Sequence, residues 1–372
     1  MRLFTVVGAR PQFIKAAVIS RAILAFNERV SGARRIEESL VHTGQHYDDN
    51  MSAVFFQELN MPEPAHHMGV GSGPHGQQTG RMLEGLERVM QHERPDLVMV
   101  YGDTNSTMAG ALAASKLDIP LAHVEAGLRS YNRAMPEEIN RVVADHLSAL
   151  LLCPTARAVK NLSCEGIAGG VHLVGDVMYD SLLFHLKQAE RNVAILSRLG
   201  LPPGEYGLAT IHRGENTDQP ATLRDLIAAL GDIGLPVALP LHPRTNAALQ
   251  AAGITRLPGA VHVIPPVSYH DMLILERHAR VILTDSGGVQ KEAFLLGVPC
   301  VTLRNETEWV ETVEAGWNRV AGTAPDAVVA AARAFLEKVP LTSGKPYGDG
   351  HAAEAILDIL SEYCRKKFGA GS

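Results

Sequence analysis

Three carboxylates stand at the ends of apolar runs or in the loops that follow: Asp103 in Gly-Asp-Thr-Asn-Ser-Thr, Glu125 in His-Val-Glu-Ala-Gly-Leu-Arg and Glu137 in Met-Pro-Glu-Glu-Ile-Asn-Arg. A carboxylate directly after a buried strand and beside glycine points into the crevice where an α/β sheet collects ligands. Paired carboxylates there suit removal of a proton and its delivery. Ordinary structural roles compete. Asp103 is placed to cap the next helix, and Glu137 with Glu138 complements a helix dipole after Pro136 while reaching Arg141. Glu125 is the hardest of the three to explain that way.

Around them are residues suited to an anion. The first turn reads Gly8-Ala-Arg-Pro-Gln-Phe-Ile-Lys15, with Arg10 and Lys15 in the opening turns of a helix. Cations there oppose the helix dipole unless an anion neutralises them, so a phosphate ligand competes with plain solvated charge. Farther on, Thr284-Asp-Ser-Gly-Gly-Val-Gln-Lys-Glu292 turns from a strand into a helix. The N–H groups around Ser286, Gly287 and Gly288 can form an anion nest, and Glu292, one turn inside, is within reach of a ribose hydroxyl. A tight turn with an acidic first helical turn is the alternative. His212-Arg213 and His242-Pro-Arg244 also follow apolar runs and suit a diphosphate.

The elements that must position these groups alternate. Runs rich in Val, Ile and Leu separated by helical patterns are the mark of parallel sheets covered on both faces. Strands are expected near 3–7, 39–42, 97–101, 121–124, 150–153 and 171–174, then near 206–211, 237–240, 261–264, 281–284, 300–303 and 318–320. Two doubly wound sheets in tandem offer a cleft lined by loops at the strands' carboxyl ends. The 372 residues allow two domains, with the hinge at Gly175-Asp-Val-Met178. The boundaries expected are 1–175 plus 352–372, since the last helix crosses back, and 176–351. The glycine-rich 69–76 segment reads equally as connector or lid.

Composition excludes several classes. The net charge of −6 comes without a basic block, which argues against nucleic acid. Four dispersed cysteines without C-x-x-C spacing, and histidines without ligand spacing, argue against a disulfide framework and a metal. No G-x-G-x-x-G follows the first strand, which argues against NAD, and no cofactor is expected. The apolar N-terminal run is too short for a signal peptide and no stretch is long enough to span a bilayer, so the cytoplasm is the expected location.

Taken in order, Gly8–Lys15, His42-Thr-Gly-Gln-His46, Tyr101-Gly-Asp-Thr-Asn-Ser-Thr107, His123–Arg129, Pro136–Arg141, Thr210-Ile-His-Arg-Gly-Glu-Asn216, Asp285–Gln290 and Pro346-Tyr-Gly-Asp-Gly350 resemble the non-hydrolysing UDP-N-acetylglucosamine 2-epimerases along nearly the whole chain. The resemblance implies two Rossmann-like domains facing across a cleft in the GT-B architecture, a homodimer, and a UDP-linked 2-acetamido sugar as ligand. It implies loss of the C2 proton with departure of UDP, then re-addition. By matching position, Asp103, Glu125, Glu137 and His212 would be catalytic. Arg10, Lys15, Arg141, Arg213, His242, Ser286, Gly287, Gly288 and Glu292 would hold the UDP-sugar.

Two departures stand out. Many members carry Thr-Glu-Arg-Pro-Glu where this chain has Thr307-Glu-Trp-Val-Glu311. That form, with Arg129-Ser-Tyr-Asn-Arg133, resembles the branch acting on UDP-2,3-diacetamido-2,3-dideoxyglucuronate. The Gln-His-Arg segment that serves a second, activating UDP-sugar in some members reads Gln45-His-Tyr-Asp48. A GT-B glycosyltransferase and a UDP-sugar binding protein are the rival classes, and three cleft carboxylates favour epimerisation over both.

Overall fold

The computed structural model describes residues 1–30, 32, 35–45, 61–191, 193–341 and 344–368. His46, Tyr47 and Asp48, the segment compared above with an activator contact, lie outside the described residues. The chain divides into two compact units, Met1–Ser181 with Pro346–Ser372, and Leu182–Lys345.

Among the described residues the first unit holds seven parallel strands: β1 (Arg2–Val7), β2 (Glu37–His42), β3 (His66–His67), β4 (Leu97–Tyr101), β5 (Leu121–Val124), β6 (Leu150–Cys153) and β7 (Val171–Leu173). Their order is β3-β2-β1-β4-β5-β6-β7. β1 pairs with both β2 and β4, so the winding direction reverses between β1 and β4. Loops at that switch point diverge and leave a crevice at the carboxyl ends of the strands. The second unit repeats the plan with β8 (Gly207–Thr210), β9 (Val237–Pro240), β10 (Val261–Ile264), β11 (Val281–Thr284), β12 (Cys300–Thr302) and β13 (Asn318–Val320), ordered β10-β9-β8-β11-β12-β13. Its switch lies between β8 and β11. The α/β, doubly wound expectation holds. The two-residue β3 was not expected, because His66–His67 carries no apolar run.

Helix packing explains how the loops are held. Helix Arg10–Arg29 starts with Pro11 and buries Phe13, Ala16, Ala17, Ile19 and Ile23, an i, i+3, i+4 stripe. Helix Ala352–Phe368 places Ala353, Ile356, Leu357 and Leu360 in the same core, so the end of the chain belongs physically to the first unit. Helix Asn105–Lys116 buries Ala109, Gly110, Ala111, Ala113 and Ala114, and these small side chains let it lie close on Val6, Val98 and Val100. Its cap is Thr104, which accepts from the Thr107 N–H. Asp103 is therefore not the cap.

The turn after β1 is fixed by a buried amide. Gln12 Oε1 accepts from the N–H groups of Gly8 (2.8 Å) and Ala9 (3.1 Å), and its Nε2 donates to the Tyr101 carbonyl (2.8 Å) and Thr107 Oγ1 (3.0 Å). The turns after β1 and β4 are thereby tied across the switch point. A side chain at position 8 would collide with the hydroxyls of Ser106 and Thr43, so only glycine fits. The 69–76 segment is anchored where it begins: Val70 and Gly71 donate to the carbonyls of Thr43 and Gly44, and Gln78 Nε2 donates to the Gly71 carbonyl.

Candidate active site

In the first unit the structure brings Lys15, Asp103, Glu125 and Arg141 to the switch-point end of the sheet. Glu125 follows β5 and sits at φ 73°, a left-handed conformation that costs a non-glycine residue about 1–2 kcal/mol. Its N–H donates to the Leu152 carbonyl at 3.1 Å. Its carboxylate pairs with Lys15, each side chain only 13% exposed. Burial alone would lower the lysine, but Glu125, with Asp103 and Asp176 nearby, outweighs it and holds the Lys15 ammonium above its ordinary range. The anion that answers this cation is thus the protein's own carboxylate. Arg10 lies exposed at the start of the same helix.

Asp103 is gripped by Arg141. Its backbone carbonyl accepts from Asn140 Nδ2 at 2.9 Å, so helix Pro136–Leu147 orients both ends of this residue. Arg141 also bonds Glu138 at 3.1 Å. Glu138, not Glu137, is the buried member of the acidic pair: it accepts from the Ser130 N–H (2.8 Å), the Ser130 hydroxyl (2.9 Å) and the Tyr131 N–H (2.9 Å). Glu137 is exposed, and among the described residues no hydrogen bond or ion pair joins it to the other carboxylates.

The second unit gathers His212, Arg213, Asp285 and Ser286 at its own switch point. Asp285, fully buried, accepts from the N–H groups of His212 (3.0 Å) and Arg213 (3.0 Å) and from Asn216 Nδ2 (3.0 Å), and pairs with His212 Nδ1 at 3.2 Å. Burial alone would raise this carboxyl, but the His212 side chain and the backbone donors hold it below its ordinary range. The pairing orients the imidazole with Nε2 turned away from the carboxylate. The His242 ring lies 6.0 Å from the His212 ring, and its Nδ1 accepts from the Arg244 N–H at 3.2 Å.

Ser286 caps helix Gly287–Leu296, its hydroxyl accepting from the Val289 N–H at 3.4 Å. The N–H groups of Gly287 and Gly288 open that helix, where backbone donors and the dipole favour an anion. Glu292 accepts from the Tyr269 hydroxyl at 2.9 Å, and burial pushes its carboxyl up to about 7. Trp309 packs against the same helix, with Lys291 Nζ 4.3 Å from the centre of its ring.

Residues 28–361 match the family model described as UDP-N-acetylglucosamine 2-epimerase. The chain belongs to that family. Membership in the UDP-N-acetylglucosamine 2-epimerases makes it an isomerase of sugar nucleotides. It is 48% identical over 368 residues to the UDP-2,3-diacetamido-2,3-dideoxy-D-glucuronate 2-epimerase of Pseudomonas aeruginosa, covering 97% of this chain and 100% of that one. It is 49% identical over 364 residues to the UDP-N-acetylglucosamine 2-epimerase homolog of Methanococcus maripaludis, covering 97% and 99%. Among solved structures, the Methanocaldococcus jannaschii UDP-GlcNAc 2-epimerase in complex with UDP-GlcNAc and UDP superposes with a TM-score of 0.78 at 41% identity, over 97% of this chain and 100% of that one.

Several groups that organise this epimerase fold carry uneven signals in the sequence. Asp285 was readable, being a carboxylate directly after an apolar strand. The buried set of His123, Asp145 and Arg129 was not, because His123 and Asp145 are 22 residues apart and their contact at 2.7 Å depends on how helix Pro136–Leu147 lies on the sheet.

Proposed function

We propose that this chain is a non-hydrolysing UDP-N-acetylglucosamine 2-epimerase that interconverts UDP-GlcNAc and UDP-ManNAc. The observation that carries the reading is the pair of carboxylates at adjacent strand ends, Glu125 after β5 and Asp103 after β4, each held by its own cation. A base takes the C2 proton, and the electrons released form the C1–C2 double bond as the C1–O bond to UDP breaks. UDP and a 2-acetamidoglucal result. UDP then re-adds at C1 while a proton arrives on the other face of C2.

Asp103, Glu125 and Glu137 are the acid and base groups in this scheme. His212, oriented by Asp285, serves the diphosphate, whose growing charge is best met by preset donors and cations. Ser286, Gly287, Gly288 and Glu292 hold the nucleotide, with Arg213 and His242 on the phosphates, and Arg10, Lys15 and Arg141 are the first unit's own contacts to the UDP-sugar. The family resemblance also supports a cytoplasmic homodimer that feeds surface polysaccharide synthesis.

A second substrate is favoured by one local feature, Trp309-Val310, together with the likeness to the Pseudomonas aeruginosa UDP-2,3-diacetamido-2,3-dideoxy-D-glucuronate 2-epimerase. Incubating the chain with UDP-GlcNAc and, separately, with UDP-2,3-diacetamido-2,3-dideoxyglucuronate, and resolving products by NMR, tests both readings. An epimerised, still UDP-linked sugar is expected. Net release of free sugar, or transfer to an acceptor, refutes the reaction class.

A further inference from the structure

Behind Glu125 lies a buried network that the reaction scheme leaves without a role. His123, the third residue of β5, and Asp145, on helix Pro136–Leu147, are both fully buried, and His123 Nδ1 meets Asp145 Oδ1 at 2.7 Å. The other ring nitrogen, Nε2, meets the Gly102 carbonyl at 2.7 Å. Carboxylate and carbonyl are both acceptors, so the ring donates from both nitrogens.

Asp145 reaches the chain on the far side of Glu125 as well. Its Oδ2 accepts from the Gly127 N–H at 3.1 Å and from Arg129 Nη1 at 2.6 Å. Gly127 itself is jammed: at φ 81° it lies so close to the Ala158 carbonyl that a Cβ would sit 2.4 Å from that oxygen. Its own carbonyl accepts from Asn161 Nδ2 at 2.9 Å. One carboxylate therefore grips positions 123 and 127 while the residue midway between them is held left-handed.

The Gly102 contact extends the grip to the neighbouring turn. Gly102 donates its N–H to the Val124 carbonyl (3.0 Å) and accepts from His123, so the residue before Asp103 is bonded to both residues before Glu125. Arg129 closes the far end with a two-bond contact to Glu165, at 2.6 and 2.8 Å, on the rim of the network.

We infer that Asp145 is a positioning residue for the epimerisation: through His123 and the Gly127 N–H it holds the backbones of Glu125 and Asp103 in register with each other. Burial alone would raise the Asp145 carboxyl, but His123 and Arg129 hold it below its ordinary range, consistent with a permanent anion. The inference rests on the reading that Glu125 and Asp103 act at C2.

Two histidine variants separate positioning from mere packing. His123→Asn keeps a donor near the Nδ1 position toward Asp145 and loses the one toward Gly102, whereas His123→Gln keeps a donor near the Nε2 position toward Gly102 and loses the one toward Asp145, so each cuts one link. With the UDP-sugar the parent enzyme turns over, His123→Asn and Asp145→Asn should each lower kcat about 30-fold or more while KM and UDP affinity by calorimetry stay within about twofold, because small misplacements of reacting groups cost rate before binding. His123→Gln should lower kcat likewise, because it cuts the link to Asp145. Glu165→Gln, on the rim, should lower the thermal midpoint and leave kcat unchanged. A parent-like kcat in either histidine variant or in Asp145→Asn, or a KM rise with kcat kept, overturns the inference. Glu125→Gln in the same series guards the reading beneath it: if that variant turns over normally, the carboxylate assignment fails, and if it alone is inactive, only the positioning role fails.

Discussion

Lys15 and Glu125 are a nearly enclosed ion pair, and each is costly to leave alone. Removing one partner of such a pair typically costs about 3–5 kcal/mol, because the remaining charge stays buried without compensation. Lys15→Met should therefore lower the unfolding free energy by about 3 kcal/mol or more, and Lys15→Met combined with Glu125→Gln should return much of it. Urea titrations of both single variants and the double variant measure the coupling. Independent, additive losses would mean that the two buried charges do not compensate each other. Glu137 is a different case at this scale, exposed on the first turn of its helix beside the buried Glu138. The spacing of two adjacent glutamates does not reveal which one the helix turns inward.

Among the elements, the strands of both sheets were legible because parallel strands covered on both faces must be apolar runs. Their expected ends agree with the structure to within a residue or two, and the exception, β3, is a polar two-residue edge. What was not legible depends on how helices sit on sheets. Helix Tyr269–His278 carries Glu276 on its inner face beside Leu273, and both carboxyl oxygens are buried without a hydrogen-bond partner among the described residues. The i, i+3 spacing of Leu273 and Glu276 could have exposed it. Burial, followed by the nearby Glu292, raises this carboxyl well above its ordinary 4.5. A raised carboxyl keeps a proton that the unfolded chain releases, so its contribution to stability falls as pH climbs from about 4.5 toward the folded value. Glu292, pushed to about 7, adds a loss of the same sign between those limits. Glu276→Met should stabilise the protein, by about 1–3 kcal/mol at pH 8 and by less at pH 5. A gain independent of pH would contradict the assignment of a buried acid.

For the whole molecule, the two tryptophans, Trp309 and Trp317, both lie in the Leu182–Lys345 unit. Tryptophan fluorescence accordingly reports the unit to which the nucleotide contacts are assigned. UDP at about 100 times its Kd should add about 2.7 kcal/mol to the unfolding free energy followed at those side chains. A transition unmoved by UDP would remove His212 and the Ser286-Gly287-Gly288 turn from the nucleotide site.

The central claim, that the C2 centre is inverted by elimination and re-addition, has a direct test in deuterated water. NMR of the UDP-linked product should show deuterium at C2 of the epimerised sugar without added NAD or metal. An epimerised product that retains protium at C2 would contradict proton removal by the carboxylates, and with it the account given of Asp103 and Glu125.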